Sequence, residues 1–284
     1  MMNNILIDKT ISISNEEFQL IRELIYKNFG INLTEHKKPL LHNRLQWVLK
    51  KNGINSFTEY YRFILNDKNG DRFNELIDAV STNHTFFFRE KNHFDFLIHK
   101  VLPDLTAKLA QSQDPYIRIW CAASSTGEEP YGLAMVLKDY FGDNYSSWIQ
   151  DILATDISNQ VLSDAIRGIY TERKMQQVPE IYKTHYFNKV DEEKYQLSNL
   201  IKREVTFRRF NLMSSTFPFN KSFHIIFCCN VMIYFDQKIR ENLIYQLAKV
   251  LLPGGYLFLG NAESLGRIST SFEYIAPSIY QKIV

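Results

Sequence analysis

One stretch of the sequence combines small residues with two adjacent acids. Small side chains occupy positions 122–125 and Gly127, directly after an apolar run, and Glu128, Glu129 and Pro130 follow. Such a turn lets the backbone approach a ligand closely. It lacks the GxGxxG and GK[ST] patterns, and its carboxylates would repel a pyrophosphate. The turn therefore favours a cationic ligand without phosphate, such as S-adenosylmethionine (SAM). An ordinary strand–helix turn, whose acids suit the helix dipole, is the alternative.

Polar residues also end the later apolar runs. Asp156 ends the run 152–156, and its carboxylate could accept both ribose hydroxyls of an adenosine. The alternative for Asp156 is an N-cap of the helix that starts at Ser158. Two further runs end in an amide followed by an apolar residue, namely Asn211 and Leu212, and Asn230 and Val231. An amide can bind an adenine edge while an apolar side chain covers its face. Together these strand ends indicate an adenosine site.

The elements that position these residues alternate along the second part of the chain. Apolar runs at 117–122, 152–156, 224–230 and 255–260 alternate with helix-like segments at 130–140, 158–167 and 238–252. This order predicts a parallel sheet covered on both faces, in a doubly wound α/β domain. The polar stretch from about 170 to 210 interrupts the alternation, and we expect an inserted, partly β element there, followed by a strand ending near Asn211.

The first ninety residues read differently, because apolar residues recur there at helical spacing without strand-like alternation. Ser14 and Glu17 form a capping-box pattern at the start of the first helix, and Gly30 ends it. These signals predict a small helical domain.

A basic stripe is predicted on the second helix of this domain. Lys37, Arg44 and Lys51 are spaced by seven, which places them along one side of the helix. The window 36–51 contains no acid. A docking face for an acidic partner is one interpretation, and a merely solvated helix face is the other.

Composition limits the class of protein. The 284 residues carry 33 Lys and Arg against 31 Asp and Glu, a net charge of +2, which argues against binding nucleic acid by charge alone. Cys121, Cys228 and Cys229 lie in apolar runs, and we expect them to be buried thiols. No CxxC or HExxH pattern indicates a metal site.

Residues 1–10 do not resemble a signal peptide, and no apolar stretch approaches the ~18–20 residues that span a bilayer. We therefore expect a cytoplasmic protein.

Four segments together resemble one family. They are 82–90 (TNHTFFFRE), 124–131 (SSTGEEPY), 227–236 (FCCNVMIYFD) and 253–264 (PGGYLFLGNAES). The residues of these segments and the order of the segments along the chain resemble those of the CheR-type chemotaxis protein methyltransferases. The resemblance covers nearly the whole chain. It implies a small all-helical N-terminal domain (1–85) and a doubly wound, Rossmann-like SAM-dependent methyltransferase domain (86–284). It also implies a small inserted β subdomain at about 170–205.

The resemblance implies an enzyme that transfers methyl groups from SAM to glutamate side chains of chemoreceptors and releases S-adenosylhomocysteine (SAH). It implies cofactor-binding roles for Asn83, Thr85, Arg89, Glu129, Asp156, Asn211, Leu212, Asn230 and Val231. Arg89 and Tyr234 should flank the transferred methyl, and no metal is expected. The family commonly has Arg where this chain has Cys229.

The expected partner is the cytoplasmic domain of a chemoreceptor, bound transiently, which would recruit the enzyme to membrane receptor arrays without membrane insertion. Lys37, Arg44 and Lys51 are the candidate docking residues, because receptor methylation helices are Glu-rich in this family. The stretch 188–195 is short and has no Gly, which favours an enzyme independent of a receptor C-terminal tether peptide. No nucleic acid partner is expected.

Other functions stay open at this point. One is a methyltransferase with a different acceptor, because residues 230–234 faintly resemble an NPPY motif, although both prolines are missing. Another is a non-catalytic SAM-binding receptor adaptor. The presence of all four candidate residues argues against it, because an adaptor would not need them; they are Arg89, Glu129, Asp156 and Tyr234. An NAD-dependent oxidoreductase is disfavoured by the glycine-poor acidic turn.

Overall fold

The computed structural model describes residues 10–112, 115–266 and 271–283, apart from the side chain of Ile149. The chain divides into two compact units, Met1–Thr82 and Asn83–Val284. The boundary expected from the motifs lies at 85/86. Within the described ranges, no helix has both the length and the apolar character needed to cross a membrane. Residues 1–9, which bear on the signal-peptide expectation, lie outside the described part of the chain.

The first unit is helical where it is described, as the sequence predicts. Its helices are α1 (Asn15–Phe29), α2 (Lys38–Lys51), α3 (Phe57–Leu65) and α4 (Asp71–Val80), with a 3₁₀ turn at Glu35–Lys37 before α2. The Ser14 hydroxyl accepts the Glu17 N–H (3.1 Å), and the Glu17 carboxylate accepts the Ser14 N–H (2.9 Å). Gly30 ends α1 at φ 72°. The predicted capping box and helix end are therefore confirmed.

The second unit is built around a seven-stranded sheet and a three-stranded sheet. The strands are β1 (Tyr116–Cys121), β2 (Ile149–Asp156), β3 (Ile169–Thr171), β4 (Phe187–Lys189), β5 (Lys194–Leu197), β6 (Val205–Arg209), β7 (Phe223–Cys228), β8 (Leu251–Leu259), β9 (Phe272–Ala276) and β10 (Ile279–Lys282). The helices are α5 (Lys91–Phe96), α6 (Leu102–Ser112), α7 (Glu128–Phe141), α8 (Asn159–Arg167), α9 (Glu172–Met175), α10 (Glu180–Tyr186), α11 (Asn199–Lys202) and α12 (Gln237–Val250). A π-helical turn, Leu97–Val101, joins α5 to α6, and 3₁₀ turns occupy Gly142–Ser147 and Met232–Tyr234.

The large sheet has the order β6-β2-β1-β7-β8-β10-β9. Its first five strands are parallel neighbours, and β10 runs antiparallel to both β8 and β9. The chain goes outward from β1 through β2 to β6 and then returns to the other side of β1 at β7. Such a reversal opens a crevice at the carboxyl ends of the central strands, where doubly wound folds bind ligands.

Two details differ from the sequence prediction. The hairpin β9–β10 makes the sheet mixed, whereas the alternation predicts a parallel one; its two-residue turn contains Ser278 at φ 60° and no glycine, so the usual hairpin signal is missing. The helix expected to reach residue 252 ends at Val250. Leu251 instead pairs with Phe223 of β7 and is buried, because sheet pairing overrides the helical spacing.

The segment between α8 and β6 contains the small antiparallel sheet, in the order β3-β5-β4, together with α9, α10 and α11. Strands β4 and β5 are joined by residues 190–193, and the Val190 N–H donates to the Lys194 carbonyl (2.9 Å). We call this segment, residues 168–204, the inserted subdomain.

Candidate active site

The turn after β1 is fixed to both neighbouring strands. The Ala122 N–H donates to the Phe227 carbonyl of β7 (2.8 Å), and the Ser124 N–H donates to the Thr155 carbonyl of β2 (2.9 Å). Gly127 then starts α7 at φ 91°, and a Cβ there would lie 3.0 Å from both the Ala165 Cβ and the Tyr131 ring. Only glycine fits this position, because both the backbone angle and the packing exclude a side chain.

Asp156 lies at the end of β2 and is 9% exposed. One carboxylate oxygen accepts the Ser125 N–H (2.9 Å), and the other accepts the Ser158 N–H (3.0 Å). Ser158 is itself the N-cap of α8, since its hydroxyl accepts the Val161 N–H. The alternative that Asp156 is the N-cap is therefore wrong. The carboxylate joins the turn after β1 to the start of α8 and is held in a fixed orientation.

The two acids of the turn have different surroundings. The Glu128 side chain is fully buried, forms an ion pair with Lys174 of α9, and accepts the Thr126 hydroxyl (2.7 and 2.9 Å). Glu129 is half-buried and faces the thiols of Cys121 and Cys229. Glu128 therefore serves the packing of the turn, and Glu129 is the acid available to a ligand.

Burial raises the pKa of Glu129 to about 7. Hydrogen bonds from the Cys229 and Cys121 thiols oppose this rise, Glu90 adds to it, and the positive charge of Arg89 lowers the pKa. Such a carboxylate gains stability from a cationic group placed beside it. The geometry thus suits the ammonium and sulfonium of SAM.

The loop after β7 is held by a buried carboxylate that the sequence did not single out. Glu263 accepts the N–H groups of Asn230 (2.8 Å), Gly260 (2.8 Å) and Ile233 (3.1 Å). Burial raises the pKa of Glu263, and these N–H groups oppose the rise. Asn230 adopts φ 57°, a conformation that costs free energy in most residues. The three bonds therefore fix the loop that carries Asn230, Val231 and Tyr234.

The segment before α5 brings Arg89 and Glu90 to the site. The Arg89 Nη1 donates to the His84 carbonyl (2.7 Å), and the guanidinium lies 6.0 Å from the centre of the Phe86 ring. Glu90 accepts the Asn261 N–H (3.4 Å) and side-chain amide, and the Asn230 amide at 3.5 Å. Glu90 therefore links this segment to the loops after β7 and β8, a link that local sequence gives no sign of.

Aromatic packing anchors this segment. Phe87 packs against Tyr170 and Phe187, with ring centres 4.8 and 5.4 Å away, and Phe88 packs against Phe94 and Tyr182. These contacts lie inside the second unit.

The remaining predicted cofactor residues differ in burial. Asn83, Thr85 and Val231 are half-buried, and Leu212 is buried. The Asn211 side chain accepts the Met213 N–H (3.0 Å), which fixes its oxygen. Tyr234 is half-buried beside the apolar cluster around α12, and its hydroxyl makes no hydrogen bond to the described residues.

The three candidate docking residues lie in the first unit and have different surroundings. Lys37 is exposed in the 3₁₀ turn before α2 rather than in the helix. The Arg44 guanidinium donates to the carbonyls of Val80 (2.5 Å) and Ser81 (2.9 Å) at the end of α4. Lys51 pairs with Glu75 (2.6 Å). Arg44 thus supports its own unit, Lys51 is exposed but paired, and Lys37 is exposed and forms no ion pair with the described residues.

Buried polar atoms without a partner occur in the turn after β1 and beside Phe227 and Phe258, against which His93 packs. The hydroxyls of Ser124 and Ser125 and the Nε2 of His93 are buried without a hydrogen-bond partner among the described residues. Burial lowers the pKa of His93 to about 4, so the ring is neutral at pH 7. With Asp156 and Glu129 alongside, the site offers acids and hydroxyls, which match SAM. The fold and these groups define a SAM-dependent methyltransferase.

Comparisons with known proteins agree with this class. The models of the "CheR methyltransferase, all-alpha domain" and the "CheR methyltransferase, SAM binding domain" match residues 16–81 and 83–280. The chemotaxis protein methyltransferase of Borreliella burgdorferi is 45% identical over 272 residues, 96% of each chain. That of Klebsiella aerogenes is 34% identical, over 94% of this chain and 90% of its own. That of Escherichia coli is 31% identical, over 95% and 92%.

The chain therefore belongs to the CheR methyltransferase family. It is a SAM-dependent methyltransferase of chemotaxis, and the known role of its family is the methylation of chemoreceptors.

Gly260 provides a test of how tightly the Asn230 loop is held. A Cβ at position 260 would lie 2.2 Å from the Asn230 side-chain nitrogen and 2.8 Å from its backbone nitrogen. Overpacking of this kind costs about 1–3 kcal/mol, so Gly260→Ala should weaken SAH binding about tenfold or more in calorimetry. Ala262 is exposed in the loop after β8, which also carries Gly260, and Ala262→Ser should bind SAH as the wild type does. Equal affinity of Gly260→Ala and wild type would contradict a fixed loop.

Proposed function

We propose that the crevice at the carboxyl ends of β1, β2 and β7 methylates glutamate side chains of chemoreceptors. Arg89 orients the incoming carboxylate, and Glu129 holds the cationic amino-acid end of SAM. The observation that carries this proposal is that Arg89, a half-buried cation, lies near enough to the desolvated acid Glu129 for its charge to act on the pKa of that carboxyl. One group attracts an anion and the other a cation at the same crevice.

The reaction itself places modest demands on the protein. SAM, when bound, supplies a methyl group from its sulfonium. A glutamate carboxylate has a reference pKa of about 4.3 and is already ionised at pH 7, so no general base is required. Alignment of the two reacting groups can supply as much as ~7–11 kcal/mol.

Arg89 is well suited to alignment. Its bond to the His84 carbonyl uses one guanidinium nitrogen, and the other N–H groups donate to none of the described residues. They can form a two-point, charge-assisted interaction with a carboxylate. Tyr234 lies in the loop after β7. We propose that its hydroxyl flanks the methyl group that is transferred.

The other predicted residues complete the proposed cofactor site. We assign the ribose hydroxyls to Asp156, because a carboxylate can accept about four hydrogen bonds and its orientation is fixed. The adenine surroundings are assigned to the pairs at the ends of β6 and β7. Asn83 and Thr85 would close the site from the segment before Arg89. These residues are, in full, Asn83, Thr85, Asp156, Asn211, Leu212, Asn230 and Val231.

Arg89→Ala tests the proposed orientation of the substrate. Loss of two charge-assisted bonds, each about 1.5–3 kcal/mol, should lower turnover about a hundredfold or more, with SAH affinity changed less than about tenfold. The assay is transfer of labelled methyl from SAM to a purified chemoreceptor cytoplasmic fragment, followed by peptide mapping of base-labile label on glutamate. Arg173→Ala, an exposed arginine of the inserted subdomain, is the matched control.

Two results would oppose the proposal. Wild-type turnover in Arg89→Ala would remove Arg89 from the mechanism. No label on the receptor fragment, in a sample that binds SAH, would favour a receptor adaptor or a methyltransferase with another acceptor.

The raised pKa of Glu129 predicts pH-dependent cofactor binding. Below about pH 7 the Glu129 carboxyl is protonated and neutral, and above it the group is charged. The ligand's ammonium binds the charged form, so SAH affinity should rise about five- to tenfold between pH 6 and 7.5. Calorimetry of wild type and Glu129→Gln measures this. The variant should bind weakly at both values; the same rise in the variant would mean that another group titrates.

For receptor docking we propose the exposed face of α2 and of the turn before it. Lys37 is exposed, Trp47 is 64% exposed, and Lys51 lies with its ammonium 5.1 Å from the Trp47 ring centre. This face combines positive charge with an exposed aromatic ring, which suits a Glu-rich receptor helix. A solvated face without a partner is the alternative.

Lys37→Glu tests the docking face without disturbing the Arg44 contacts to α4. The KM for the receptor fragment should rise about fivefold or more, most strongly at low salt, with SAH affinity unchanged. Lys68→Glu, on the exposed loop between α3 and α4, makes the same change of charge elsewhere in the unit. Equal KM values in wild type and Lys37→Glu would favour the solvated-face interpretation.

We also propose that the enzyme acts without a receptor C-terminal tether peptide and reaches receptor arrays through the receptor itself. The short, glycine-free connection 190–193 between β4 and β5 supports this proposal. For that reason the transfer assay uses a receptor fragment that lacks its C-terminal tail.

A further inference from the structure

The inserted subdomain touches the turn that carries Glu129. Lys174 of α9 donates to the Thr126 hydroxyl (2.7 Å) and to the Glu128 carboxylate. The Tyr170 hydroxyl of β3 donates to the Thr126 carbonyl (2.8 Å). Two groups from one short segment of the insertion therefore hold Thr126, at the end of the turn, and Glu128, the first residue of α7.

The ion pair is an unusual way to hold a turn. The Glu128 side chain is fully buried, whereas Lys174 is partly exposed. Taking such charges out of water costs several kcal/mol per ion, so a buried pair is weak evidence for stability. It does constrain geometry, because a buried carboxylate that moves away from its partner is left without compensation.

That constraint acts directly on the proposed cofactor acid. Glu129 follows Glu128 in the first turn of α7, and Gly127 at φ 91° closes the turn from the other side. Moving Thr126 or Glu128 would therefore rotate the start of α7 and change the direction of the Glu129 carboxylate. Tyr170 also packs its ring against Phe87, which lies two residues before Arg89.

We propose that Lys174 and Tyr170 are positioning residues for SAM binding, which fix residues 126–128 and thereby aim the Glu129 carboxylate at the ligand. The proposal rests on the cofactor role of Glu129 proposed above. It gives the inserted subdomain a part in cofactor binding, in addition to any part in receptor contact.

Tyr170→Phe is the mildest test, because it keeps the buried ring and removes the hydroxyl. SAH affinity should fall about three- to tenfold in calorimetry. Lys174→Met should weaken SAH binding tenfold or more and also lower Tm, because the buried Glu128 carboxylate loses its positively charged partner. Lys183→Met removes a different ion pair of the inserted subdomain, with Glu172, and should leave SAH affinity unchanged.

The double variant Glu128→Met, Lys174→Met separates positioning from stability. Replacing a buried ion pair by apolar residues of similar volume commonly recovers stability. We expect Tm to return toward the wild-type value while SAH affinity stays at least fivefold weaker. Amide hydrogen exchange at residues 126–131 should remain faster than in the wild type when SAH is absent.

The outcomes distinguish this inference from the proposed function. If Tyr170→Phe and the double variant bind SAH as the wild type does, the contacts are structural and the inference is wrong, whatever the effect on Tm. If Glu129→Gln also binds SAH normally, the proposed role of Glu129 has failed. Weak binding by Glu129→Gln together with normal binding by the Lys174 and Tyr170 variants overturns the inference alone.

Discussion

The site depends on the position of β1 between β2 and β7. These pairings bring the turn after β1, the end of β2 and the end of β7 to one edge of the sheet. Backbone bonds from Ala122 to Phe227 and from Ser124 to Thr155 then fix the turn to both neighbours. With a different strand order, the acids and amides at these ends would be far apart.

Three of the buried or half-buried carboxylates around this edge are stabilised in different ways, and the differences separate their roles. Glu128 has a lysine, Glu263 has three backbone N–H groups, and Glu129 has two thiols and a more distant arginine. The first two are satisfied by the protein. Glu129 is the least satisfied of the three, and so a cationic ligand stabilises it most.

Sequence patterns predict the parts of the site that depend on local order. The strand ends at Asp156, Asn211 and Asn230 follow apolar runs, and the helical first unit follows from spacing and caps. Other contacts join residues that are distant in sequence. Asn230 lies 140 residues from its partner Glu90 and 33 residues from its partner Glu263. Lys174 lies 46 residues from its partner Glu128. Contacts of this kind require the sheet order, which one sequence does not specify. For the same reason, the regular basic spacing on α2 gave no sign that Arg44 binds the end of α4.

The inserted subdomain has a consequence for any attempt to reduce this enzyme to a minimal core. Joining α8 directly to β6 would remove Lys174 and leave the Glu128 carboxylate buried without a positively charged partner. The same deletion would expose the rings of Phe87 and Phe88, which pack against Tyr170, Phe187 and Tyr182. The insertion is therefore not a detachable module. A shortened enzyme would need an uncharged residue at position 128 and polar replacements for both phenylalanines before it could fold.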